Sequence, residues 1–173
     1  MKRRILSTLA IAAFFACCSG CGYHFSGSGS YPSGVSQIFI TLLENRTAET
    51  GVESTFTNDL IYEFTRNRKE SLARDRSSAD GILSGTIARL SVANITRTSV
   101  STATERRVTG TLILRLESPE GRLLWSSGNI VESEAYAVVA GDKMATDRNK
   151  SDAIATLSQK LAESAFNRLT EDF

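Results

Sequence analysis

All three cysteines of this 173-residue chain, Cys17, Cys18 and Cys21, crowd together near the N-terminus, and none follows. Whatever folds downstream therefore has no disulfide to hold it. With His24 as the only histidine, it also lacks any Cys/His spacing that would hold zinc. Such a chain must be held together by burial of apolar surface. Its length is that of one domain with a sizeable core, and 41% hydrophobic with 23% charged residues fits a folded domain. The same shortage bears on chemistry. A Cys–His or Ser–His–Asp arrangement would have to recruit His24, three residues past the last cysteine, a poor place to hold geometry. The expectation is a protein that is not an enzyme and holds no metal.

The residues before the cysteines explain them. Lys2-Arg3-Arg4 is a basic start, and Ile5 to Ala16 is almost wholly apolar. A spanning helix needs about 20 apolar residues, so this stretch is too short to span and reads as the core of a signal peptide. Cys18-Ser19-Gly20-Cys21 follows, with small residues placed as in a lipobox and Cys18 where leucine is usual. Residues 1–20 are thus expected to be a lipoprotein signal peptide. Cys21 is the expected lipid attachment site, carrying a diacylglycerol and an N-acyl chain as the only added groups. Gly22, where an aspartate would retain many lipoproteins at the inner membrane, favours the periplasmic face of the outer membrane. Several acyl chains at about 0.8 kcal/mol per methylene make such an anchor effectively permanent.

Without Lys2, Arg3 and Arg4, 17 basic residues face 19 acidic ones, a net charge of −2. No basic excess marks a nucleic-acid binder. Residues 21–34 are rich in Gly and Ser and predict a lipidated tether, leaving 35–173 as a single periplasmic domain.

Within that domain, Ile38, Phe39, Ile40, Leu42 and Leu43 predict a strand over 36–43. Thr50-Gly51-Val52-Glu53 has capping-box spacing. Val52, Phe56, Leu60 and Phe64 then make one face of a helix over about 51–67. Strands are predicted over 81–98, 106–118 and 122–137. In the middle one Val108, Gly110, Leu112, Leu114 and Leu116 face one way, and Thr109, Thr111, Ile113, Arg115 and Glu117 the other. Ser99 to Glu105 is the expected hairpin tip, and Ser118-Pro119-Glu120-Gly121 a type I turn. Ile154, Leu157, Leu161, Ala165 and Leu169 stripe a final helix over 147–169. The fold class is therefore α/β, in an α+β two-layer form. It has the order β-α-β-β-β-α, with a four-stranded mixed sheet and both helices on one face.

Cys21-Gly22-Tyr23-His24-Phe25, Pro32-Ser33-Gly34-Val35, Glu44-Asn45-Arg46-Thr47 and Phe56-Thr57-Asn58-Asp59-Leu60 resemble the LPS-assembly lipoprotein LptE family. The resemblance covers most of the chain beyond the leader. It implies an outer-membrane lipoprotein that assembles with and plugs the LptD β-barrel and assists lipopolysaccharide transport into the outer leaflet. Its partners would be that barrel, lipopolysaccharide and the membrane, with no nucleic acid among them. Asn45-Arg46-Thr47 and Ala79-Asp80-Gly81-Ile82-Leu83 also resemble lipoproteins that activate a peptidoglycan synthase or serve secretion channels. The short tether argues against that alternative.

Lipopolysaccharide carries phosphates, which Lys and Arg bind through charge-assisted hydrogen bonds. Arg97, Arg106 and Arg107 flank the expected tip. Lys143, Arg148 and Lys150 lie in what the apolar stripe leaves as the connection before the last helix. These are the candidate lipopolysaccharide contacts.

Overall fold

A computed structural model describes residues 31–68, 71–95 and 104–171. The leader, Cys21, Arg97 and residues 99–103 of the expected tip lie outside them. The elements are β1 (Ile38–Ile40), β2 (Glu44–Asn45), α1 (Val52–Arg68), β3 (Gly81–Ile95), β4 (Thr104–Glu117), β5 (Leu123–Val138) and α2 (Lys143–Glu171). Two short 3-10 turns, Pro32–Gly34 and Arg76–Ser78, complete them.

The sheet is mixed, in the order β1-β3-β4-β5, with β2 also on β3. β1 and β2 run parallel to β3, and β3, β4 and β5 are antiparallel. The expected first strand is thus two strands in one row, so five strands form where four were expected. The break lies at Thr41–Leu43, where Leu43 turns into the core at 2% exposed while Leu42 stays at 64%. The Leu43 N–H donates to Thr57 Oγ1 of α1 instead of to β3.

Both helices pack on one face. Ile38, Leu83, Ile87, Val108, Leu112, Leu116 and Ile130 of the sheet form a single core with Leu60 and Phe64 of α1 and Leu157, Leu161 and Leu169 of α2. Phe64 meets Phe166 edge-on, with ring centroids 5.1 Å apart. The even-numbered residues of β4 face the helices, as the alternation requires. Gly110 belongs to that set because a side chain there would collide: a Cβ would lie 3.0 Å from both Leu157 and Leu161. A bulge around Gly128 (φ +61°) is stitched by Ser127, whose hydroxyl takes the Leu114 N–H that a regular ladder would bond to backbone.

Two local expectations change. Glu53 does not close a capping box. Its carboxylate accepts from Asn45 Nδ2, and that amide also donates to the Glu49 carbonyl, so Asn45 organises the approach to α1. The last helix starts at Lys143 rather than 147, because Asp142 Oδ1 accepts the Ala145 N–H and caps it. Lys143, Arg148 and Lys150 therefore sit on the first turns of α2, not in a connection.

Tyr31, which the Gly/Ser content assigned to the tether, is 2% exposed. It stacks on Phe64 at 6.2 Å and shares a 2.6 Å hydrogen bond with Ser71, and the Arg68 guanidinium lies over its ring. Burial raises its pKa, against the Ser71 bond and the Arg68 charge, which both lower it. Above the unfolded value of 10.0 the unfolded chain gives up this proton while the folded chain keeps it. Stability attributable to Tyr31 is therefore present below pH 10 and falls as pH rises further. Tyr31→Phe is expected to cost about 1 kcal/mol at neutral pH and to flatten that alkaline decline, as urea melts at pH 7 and above 10 would read.

Candidate functional site

The long strands give the domain two ends. At one, Tyr31 and Ser71 close over Phe64 near the C-terminus of α1. At the other lie the start of β4, the end of β5 and the start of α2, brought together by the pairing of Thr104 with Val138. The fifteen residues of β3 at about 3.3 Å each separate the ends by about 45 Å. The predicted basic residues with described positions gather at this second end, but not on one surface.

Arg106 pairs in register with Asn94 and with buried Tyr136, on the helix side of the sheet, and its Nε donates to Asn94 Oδ1 at 3.1 Å. Arg107 is its neighbour in a strand and so faces the opposite way, exposed on the side without helices. Lys143 is taken up by Asp147 at 2.5 Å on the exposed flank of α2. Lys150 reaches back to Glu49, tying α2 to the loop before α1. Arg148 is exposed. Thr104 and Glu105, expected in the tip, already belong to β4. The fold thus separates Arg106 from Arg107, and partners Lys143 and Lys150 with carboxylates.

The side of the sheet without helices holds a feature the sequence did not offer. Arg107, Thr109, Thr111, Ile113 and Arg115 of β4 all lie on it, and Thr111 pairs with Arg89 of β3. Arg107, Arg89 and Arg115 therefore occupy rows four residues apart, about 13 Å per step. All three are exposed. Between them the face is small and hydroxyl-rich: Ser91 opposite Thr109, Thr109 opposite Ser133. At its β1–β2 margin a concavity of about 660 Å³ is lined by Leu42, Arg46, Thr86, Ile113 and Arg115. Glu44 there is held below the usual carboxylate range by its bidentate bonds to Arg46. Arg115 and Arg107 could have been joined from their shared odd parity in β4. Arg89 could not, because the irregularity between Ile87 and Arg89 shifts its register.

Three exposed guanidinium groups on one face are suited to binding anions. Among the described residues no group of three or more His, Cys, Asp or Glu is placed to hold a metal ion. No described helix is long and apolar enough to cross a membrane.

A sequence model of the LptE lipopolysaccharide-assembly family matches residues 35–169. No curated protein matches the chain. The structure resembles a minor lipoprotein from Acinetobacter baumannii with a TM-score of 0.53 at 14% identity, covering 80% of this chain and 93% of that one. It also resembles lipoprotein B, an uncharacterized protein from Nitrosomonas europaea, with a TM-score of 0.50 at 10% identity, covering 80% of this chain and 84% of the other. At these identities the two likenesses concern the fold alone.

Proposed function

Since the chain belongs to the LptE lipopolysaccharide-assembly family, we propose that it is a lipid-anchored outer-membrane lipoprotein that assembles with and plugs an LptD-type β-barrel and contacts lipopolysaccharide during its delivery. The family match across residues 35–169, nearly the whole of the described domain, carries the reading. The role is assembly and transfer, not catalysis. Cys21 is the proposed anchor. Because Tyr31 is bound into the core, only residues 22–30 separate the proposed anchor from the folded domain. The Tyr31 end is thus the end nearest the proposed anchor along the chain, and the β3–β4 end lies about 45 Å from it along β3.

For lipopolysaccharide, the fold favours Arg107 from the predicted set, joined by Arg89 and Arg115. Three guanidinium groups on one face suit a ligand with several phosphates. Reversal of all three to Glu is expected to weaken binding of purified lipopolysaccharide by about tenfold or more. The parent's binding should fall as salt rises, while the thermal melt barely moves, since all three side chains are exposed. Arg106→Glu, on the other face, serves as the comparison. If the triple reversal binds as the parent does and Arg106→Glu does not, the helix side of that end is the contact instead.

A further inference from the structure

The outer margin of β5 has a window left open. β5 is sixteen residues long, and among the described residues it pairs with β4 alone, so its other edge carries no described strand. Side chains of α2 close that edge at both ends. Arg168 Nη1 donates to the Ser127 and Asn129 carbonyls at 2.9 and 3.0 Å, and Asn149 Nδ2 donates to the Ala137 carbonyl at 2.9 Å. The two capped carbonyls at Asn129 and Ala137 point away from β4. The two-residue alternation of a strand puts the N–H and C=O groups of Val131, Ser133 and Ala135 on that same edge. Their side chains are small, with Val131 54% exposed. Of the two carboxylates along this stretch, Glu134 is paired with Lys160 of α2 at 2.5 Å, whereas Glu132 accepts from the neutral Ser164 hydroxyl at 2.6 Å.

We propose that this window, Val131 to Ala135, is where the barrel partner adds an extended segment as a further strand, with a basic side chain opposite Glu132. The inference rests on the reading that such a barrel is the partner. Charge selects the occupant. A second copy pairing antiparallel about Ser133 would set each Glu132 opposite Glu134, another carboxylate, and bring it no cation. A partner segment with Lys or Arg at that place meets a carboxylate whose described partner is only a neutral hydroxyl. Backbone pairing gives the affinity and the alternate side chains the selectivity.

Ser133→Pro tests it. Proline removes the N–H that faces outward and leaves the β4 ladder its bonds. Val131→Lys is the second variant, placing a charge in the window without removing a backbone N–H. Full-length protein would be crosslinked in cells and the barrel quantified after detergent extraction, with thermal melts on each variant. Barrel recovery is expected to fall about tenfold in both variants, with melts close to the parent. Should Ser133→Pro fail to fold, Val131→Lys decides. Parental recovery from both variants overturns the edge assignment and leaves the family reading standing. No barrel with the parent itself overturns both. A concentration-dependent dimer of the parent that Ser133→Pro abolishes would make a second copy the occupant and overturn the choice made here.

Discussion

Leu112→Asp is expected to abolish the cooperative thermal transition of the domain. Leu112 is 2% exposed in the middle of β4, between Ile87 of β3 and Ile130 of β5 in register. A lone carboxylate there loses its hydration without gaining a cation, which costs several kcal/mol. The lost apolar burial adds about 2 kcal/mol. Together these approach the whole stability of a domain this size, about 5–15 kcal/mol. Thr111→Asp, one residue earlier and on the other side of the sheet, should shift the midpoint by only a few degrees. Circular dichroism melts of the two variants check this directly. A Leu112→Asp protein that melts near the parent would mean that the helices do not cover this face.

Cys21→Ala carries the other large effect, and it falls on localisation instead of stability. Without the thiol no diacylglycerol can be attached, and the signal peptide should stay uncleaved. Intact mass of the parent, extracted from membranes, should correspond to a chain beginning at residue 21 with lipid added. The variant should show the full leader and no lipid. Its domain should melt as the parent does, since the core begins at Tyr31. A parent that begins elsewhere and carries no lipid would remove the anchor from the account.

The parts legible in the sequence were those with a clean period. The odd–even alternation of β4 named its buried face residue by residue, and Leu157, Leu161 and Leu169 named that of α2. Ser118-Pro119-Glu120-Gly121 forms the expected turn, closed by a 2.9 Å bond from the Gly121 N–H to the Ser118 carbonyl. What escaped depended on single contacts between distant residues. Tyr31 sits in a Gly/Ser-rich stretch, and only the pocket made by Phe64, Arg68 and Ser71 draws it inside. The start of α2 rested on Asp142 as a cap, a signal the apolar stripe did not contain. Arg106 and Arg107 looked like one basic patch because they are adjacent, yet adjacency in a strand is what sends them to opposite faces. The candidate site changed for the same reason. Arg89 and Arg115 join Arg107 only through strand pairing.

The proposed role depends on association with an outer-membrane barrel. Affinity purification of the full-length, lipidated protein from detergent-solubilised outer membranes, with the captured proteins identified by mass, tests it most directly. The expected capture is an LptD-type barrel at near-equal stoichiometry, retained after washing at moderate salt. Recovery of a peptidoglycan synthase in its place, or of no barrel even after crosslinking in intact cells, would contradict it.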